Sequence, residues 1–167
     1  TVNPVNDAPT IRDILDQVTL EDTQVDVLAR VSDVDSDVAS LVITATTDND
    51  TLFPAGSVTV TGSTISLLPG ANLGGTAVVT VTVSDGELSS STSFGITVEA
   101  VNDPPVVTGL ADVTGNEDTT LVIPFTVFDE EADAAAITVT AVSFNTDVIP
   151  ESGLLLGGQG AERSLTI

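Results

Sequence analysis

A spacing of 96 residues governs this chain. Val5-Asn6-Asp7-Ala8-Pro9 reappears 96 positions on as Val101-Asn102-Asp103-Pro104-Pro105, and Glu21-Asp22-Thr23 as Glu117-Asp118-Thr119. Asp33 and Asp37 fall on Asp129 and Asp133, with Asp35 opposite Glu131. Thr44-Ala45 meets Thr140-Ala141, Pro54 meets Pro150 and Gly62 meets Gly158, all without a gap. Beyond Gly62 the spacing grows from 96 to 100, so that Ile65-Ser66-Leu67 matches Leu165-Thr166-Ile167. Self-similarity at a fixed period of this length marks an array of like modules. Residues 6–101 form one copy, and residues 102–167 a second that stops short of a full period. Residues 1–5 read as the end of a preceding repeat, because Thr1-Val2 matches Thr97-Val98. The expectation is a segment cut from a longer array.

Identical positions in the two copies are mostly acidic or turn-forming. Strand positions exchange one apolar residue for another: Val25 for Leu121, Val27 for Ile123, Leu41 for Ile137. A core tolerates such swaps, whereas a ligand set does not. Two duplicates that had merely not diverged would be alike in strands and loops equally.

The apolar period is two. Val79, Val81 and Val83 alternate with Thr80, Thr82 and Ser84; Phe94, Ile96 and Val98 alternate with Ser93, Gly95 and Thr97. Leu41, Ile43 and Ala45 alternate with Val42, Thr44 and Thr46, and Leu121, Ile123, Phe125 and Val127 form an inward row in the second copy. Pro124 within that row points to an edge or a bulge. Turn signals at 33–37, 48–50, 54–56, 69–75 and 85–86 divide one period into seven strands: A (10–20), B (24–32), C (40–47), D (56–61), E (63–68), F (76–84) and G (91–99). That pattern predicts an all-β fold, tandem immunoglobulin-like Greek-key sandwiches with no helix. The second copy supplies strands A to E only.

Charge narrows the function. Asp and Glu number 25 against three basic residues, Arg12, Arg30 and Arg163, for a net charge of −22. Nucleic acid and anionic membrane surfaces both require a basic footprint that is missing here. No apolar run is long enough to insert into a membrane. So acidic a chain repels itself, and a divalent cation is the simplest compensation. With no His and no Cys, transition metals lack their preferred ligands. The remaining oxygen donors of Asp, Glu and Asn suit Ca2+.

Placed on a sandwich, the acids gather. Asp33, Asp35 and Asp37 lie on the B–C turn, Asp85 on the F–G turn and Asn6 and Asp7 just ahead of strand A, all at one end of the first copy. Glu21 and Asp22 lie at the opposite end, and the repeat frame gathers them at the junction with Asn102, Asp103, Asp129, Glu131 and Asp133. Glu117 and Asp118 repeat the Glu21-Asp22 pair. Carboxylates held together without a metal repel strongly. Asp-x-Asp-x-Asp alone is a weak signal, since solvated acidic turns are common. The linker Asn-Asp, the Glu-Asp-Thr turn and the shared period make it specific.

These motifs resemble a known family. Val98 to Pro105, Val-Glu-Ala-Val-Asn-Asp-Pro-Pro, is similar to the linker of cadherin repeats, and Val83-Ser84-Asp85-Gly86 to their F–G turn. Glu21, and Asp35 with Asp37, stand where the cadherin glutamate and Asp-x-Asp pair would be. Over the whole chain the sequence resembles the bacterial cadherin-like tandem repeat of large surface adhesins and secreted multidomain proteins. The resemblance implies calcium at repeat junctions and an extracellular or cell-surface location. The 69–75 turn lacks the acids cadherins carry there, with Asn72 as its one side-chain ligand, which implies fewer ions.

The functional expectation is a segment of a calcium-stiffened adhesin, stalk or cell-surface fibre whose partners are adjacent repeats, other copies in a filament or a surface ligand. Two alternatives stand beside it: a strand-exchanging filament subunit, and a ligand-binding or spacer module of a secreted enzyme. With no Trp and no Tyr, a sugar-stacking platform is missing. An enzyme is not expected. Paired carboxylates can do acid–base work, but here every cluster repeats with the period and sits on turns.

Overall fold

The computed structural model describes Asn3 and residues 5–167; the Thr1-Val2 match lies outside the described residues. The chain divides into two compact units, residues 1–101 and 102–167.

Unit 1 is an immunoglobulin-like sandwich. Its strands are β1 (Thr10–Ile11), β2 (Gln17–Leu20), β3 (Val25–Leu28), β4 (Val31–Ser32), β5 (Val42–Thr47), β6 (Val58–Thr61), β7 (Thr64–Leu67), β8 (Gly75–Ser84) and β9 (Ser89–Glu99). One sheet has the order β2-β9-β8-β5 and the other β3-β7-β6, with β1 paired to β4 where strand B continues. β2 runs parallel to β9, and the remaining pairs are antiparallel. The alternation read from sequence becomes the two faces of each strand: Val79, Val81 and Val83 on β8 and Phe94, Ile96 and Val98 on β9 are buried, against Ile65 and Leu67 from the facing sheet. Leu52 and Phe53 close the core from the β5–β6 connection.

Three expectations need correction here. Strand A is interrupted: the chain leaves β1 at Arg12 and crosses to the other sheet before β2. Gly95 makes the crossing close, because its N–H donates to Asp16 Oδ1 at 2.7 Å and a Cβ there would lie 3.2 Å from the same oxygen. Strand B is split into β3 and β4. The expected absence of helix fails, among the described residues, at two single 3₁₀ turns, Val38–Ser40 and Glu151–Gly153. The first delays strand C to Val42, because Asp37 caps it by accepting the Ala39 N–H at 3.0 Å. Among the described residues no helix is long and apolar enough to cross a membrane.

Unit 2 contains β10 (Val106–Thr108), β11 (Val122–Phe128), β12 (Leu155–Gln159) and β13 (Glu162–Thr166), in the order β10-β11-β13-β12. Its register reproduces that of unit 1. Val106 faces Phe128 as Thr10 faces Ser32, and Ile123 faces Leu165 as Val27 faces Ile65. Ile123, Phe125 and Val127 are buried; Leu121 is half-buried. Pro124 sits where β10 no longer covers β11, the edge position expected of it.

The additional residues also find their place. Leu67 and Ile167 stand opposite Val25 and Leu121, 100 apart, whereas the strand preceding each hairpin keeps the 96 spacing. The insertion therefore lengthens both arms of one hairpin equally. Its turn moves with it: Gly160, at φ +60, is the counterpart of Gly62, also at φ +60. The sequence match of Gly62 to Gly158 is thus corrected. Gly158 lies within β12 at φ +89, where a Cβ would meet Glu162 O at 2.3 Å. Strand C of the second copy, expected among A to E, is missing: residues 138–143 form no strand.

Candidate metal centre

The candidate site of unit 1 begins with a turn. Asp33 follows β4, and its Oδ1 accepts the N–H groups of Asp35 and Ser36, both at 2.7 Å. Asp is suited to this because its short carboxylate reaches its own backbone two and three residues on. Asp35 then turns outward, and its Oδ2 accepts the Asp7 N–H at 2.8 Å, which ties the segment before β1 to the turn. Asn6 donates from Nδ2 to Asp85 Oδ2 at 2.8 Å, bringing in the β8–β9 turn. Three separate segments are thereby joined, and they hold Asn6, Asp7, Asp33, Asp35, Asp37 and Asp85.

Asp85 is the most heavily solvated by protein donors. Its Oδ1 accepts the N–H groups of Leu88 and Glu87, each at 2.7 Å. The Leu88 amide first, then Asn6 and the Glu87 amide, hold its carboxyl below the ordinary 3.8. Asp33 Oδ2 differs: it is buried and has no hydrogen-bond partner. A buried carboxylate oxygen left without a donor is costly. A hard cation coordinated by oxygens would satisfy it, so the donor set fits calcium chemistry.

Unit 2 repeats the construction 96 residues on. Asp129 Oδ1 accepts the N–H groups of Glu131 at 3.1 Å and Ala132 at 2.7 Å. Glu131 Oε2 accepts the Asp103 N–H at 3.0 Å, as Asp35 accepts that of Asp7. Asp133 accepts the Ala135 N–H at 2.9 Å, as Asp37 accepts that of Ala39. Asn102 turns to its neighbour instead, donating to Asp103 O at 2.9 Å. No residue among 102–167 corresponds to Asp85 at the repeat spacing.

At the other end of unit 1, Glu21 is buried and its Oε1 accepts the Val101 N–H. Asp22 takes a left-handed conformation, φ +55, and its Oδ1 accepts the N–H of Asn72, which is itself at φ +55. Asn72, expected as the one side-chain ligand of that turn, donates its backbone N–H to Asp22. Glu117 and Asp118 are exposed, with Asp118 at φ +59 matching Asp22. Two acids were missed by the sequence reading, Asp16 and Asp48. Each clasps a strand amide, Gly95 N and Val78 N, at 2.7 Å. Neither partner is near in sequence, so no local signal marks them.

An immunoglobulin-like sandwich with an acidic end is the class that this architecture defines. The model of the bacterial Ig domain family matches residues 6–98, more than half of the chain. The chain belongs to the bacterial Ig domain family. No curated protein matches it. Among solved structures it is similar to an endo-fucoidan hydrolase of glycoside hydrolase family 107, at 23% identity and TM-score 0.45, covering 99% of this chain and 25% of that one. It is also similar to a tandem of titin Ig domains, at 13% identity and TM-score 0.43, covering 98% of this chain and 83% of that one. The chain thus spans a quarter of the hydrolase's length.

Proposed function

We propose that the chain is a segment of an extracellular, calcium-stiffened repeat protein, of the adhesin, stalk or cell-surface fibre kind. The observation that carries the reading is the repeated turn, in which Asp33, Asp35 and Asp7, and again Asp129, Glu131 and Asp103, are bound together by the same hydrogen bonds. Asp33 adds a buried carboxylate oxygen with no donor. In unit 1 the ion is held by oxygens of Asn6, Asp7, Asp33, Asp35, Asp37 and Asp85, and in unit 2 by those of Asn102, Asp103, Asp129, Glu131 and Asp133. Bound calcium supplies positive charge that offsets a net −22. The chain's own residues hold the turns ready for it. In this reading the role is mechanical, the partners are neighbouring repeats, and no catalytic step is assigned.

Extracellular calcium modules bind at about 10⁻⁴–10⁻³ M. At ten times that constant, linkage stabilises by about 1.4 kcal/mol per site. A thermal melt in calcium is therefore expected to run several degrees above one in chelator, and superimposable curves would sink the calcium reading.

A further inference from the structure

We propose that β5 is a pairing edge for a second copy of this chain, joining two unit 1 sandwiches through an antiparallel β5–β5 ladder. The inference does not rest on calcium. It starts from which groups of β5 are used. Among the described residues β5 lies at the edge of its sheet and pairs only with β8, Val42 to Thr47 against Ser84 to Val79. The Asp48 N–H donates to Val78 O at 3.2 Å, which fixes the even-numbered residues as those whose backbone faces β8. The backbone N–H and C=O groups of Ile43, Ala45 and Thr47 therefore face outward. Leu41 is excluded from this set, since its N–H is held by Val38 O at 3.3 Å.

Sheet edges are ordinarily guarded by charge, proline, a bulge or shortness. Among the described residues the other sheet edges carry such guards or are broken by glycine. β2 is only four residues and lies between Asp16 and Glu21, β3 contains Asp26, β10 is three residues long and β12 contains Gly157 and Gly158. β6 is uncharged but is four residues long. β5 is the longest edge, six residues reading Val-Ile-Thr-Ala-Thr-Thr, with no charge, proline or glycine. In a chain of net charge −22 the absence of acids along its longest edge singles that edge out.

The same charge selects the occupant. A neighbour as acidic as this chain can approach closely only where neither surface presents carboxylates, and a second β5 meets that condition. The register follows from the open groups. Only a two-fold axis at Ala45 pairs Ile43, Ala45 and Thr47 with one another and uses no other residue, each hydrogen-bonded pair exchanging two N–H···O bonds. Such an interface is self-complementary, as a two-fold contact must be. It places Thr44 opposite Thr46 of the second copy, and Val42 opposite Asp48, so no like charges meet. It also joins two outer faces of the same kind: Thr80 and Ser93, and Thr82 and Ser91, already form cross-strand hydroxyl pairs at 3.0 and 3.2 Å beside Thr46 and Thr44.

The test uses the whole chain. Sedimentation from about 10 µM to about 1 mM spans the range in which a small interface shows itself, in calcium and in chelator. The expected result is a concentration-dependent dimer in both, with amide exchange at Ile43, Ala45 and Thr47 slowing as concentration rises. The T44E/T46E double variant sets carboxylates opposite one another on both sides of the axis and should weaken the dimer about tenfold or more. T44K/T46E sets opposite charges there and should restore it. Because Thr44 and Thr46 are exposed, both variants should melt as the parent does. A monomer throughout, or a dimer indifferent to T44E/T46E, overturns the proposal. A T44K/T46E dimer as weak as that of T44E/T46E overturns the register. If the dimer needs calcium, the independence claimed from the metal reading is wrong.

Discussion

In unit 1 the stretch Val42–Thr47 lies against β8 along its whole length, while the residues 96 further on, 138–143, form no strand. Both stretches alternate in the same way, with Val139 and Ala141 half-buried as Ile43 and Ala45 are. The turns just before them, by contrast, are alike to individual hydrogen bonds. The difference lies in the range of the interactions. A turn is closed by a side chain accepting from amides two and three residues on, so its own sequence suffices. A strand is stabilised by its cross-strand partner, and residues 102–167 contain no counterpart of β8.

The comparison breaks most visibly if the units are separated. Residues 102–167 lack the equivalents of Val79, Val81, Val83, Phe94, Ile96 and Val98, all buried in unit 1. At about 1.5–3 kcal/mol each, that is on the order of a whole domain's net stability. Residues 1–101 expressed alone are expected to give a dispersed amide spectrum and residues 102–167 a collapsed one. A dispersed, monomeric spectrum from 102–167 would show that β8 and β9 are dispensable. On a smaller scale, Phe94→Ala should destabilise unit 1 by about 3–5 kcal/mol, whereas Val139→Ala, in a stretch that forms no strand, should leave the unfolding curve of the full chain unchanged within about 0.5 kcal/mol. Urea unfolding of the full chain reads both variants.

The period of two made the sheet faces legible. The buried rows Val79-Val81-Val83 and Phe94-Ile96-Val98 and the edge role of Pro124 follow from residue order alone. The grouping of Asn6, Asp7, Asp35 and Asp85 was legible too, because an immunoglobulin-like topology sends their three segments to one end. What escaped depends on contacts between distant residues. The break in strand A depends on Asp16 meeting Gly95, 79 residues on. The insertion was seen as a length but not as a lengthened hairpin, since Gly158 and Gly160 are equally plausible turn residues until the pairing of β12 with β13 chooses between them.

A finer comparison concerns the two turns that match. Asp33→Ala and Asp129→Ala each remove one carboxylate that accepts two amides. In chelator Asp33→Ala should cost about 1–2 kcal/mol, read from the melting of unit 1, while Asp129→Ala should show as faster exchange of the Glu131 and Ala132 amides in the full chain. In calcium a further loss is expected for both if these residues hold the ion. Equal losses with and without calcium would leave Asp33 and Asp129 as turn residues only.

The smallest effect comes from Asp85, the acid of the unit 1 site for which residues 102–167 hold no counterpart. Asp85 has its carboxyl held below 3.8 by the amide of Leu88, the side chain of Asn6 and the amide of Glu87. A carboxyl that is more acidic in the folded state than in the unfolded one adds stability that is fully present above the unfolded value. That stability is lost as pH falls through the lower, folded value. Stability of unit 1 should therefore acquire an additional acid dependence beginning below about pH 3.8. Asp85→Asn should abolish that dependence, since the amide keeps an accepting oxygen but does not titrate there. A carboxyl-carbon NMR titration of the full chain reads the group directly. A midpoint at or above 3.8 would mean that the Leu88, Glu87 and Asn6 donors do not engage Asp85 in solution, and with them would go the tie between the β8–β9 turn and the segment that carries Asn6.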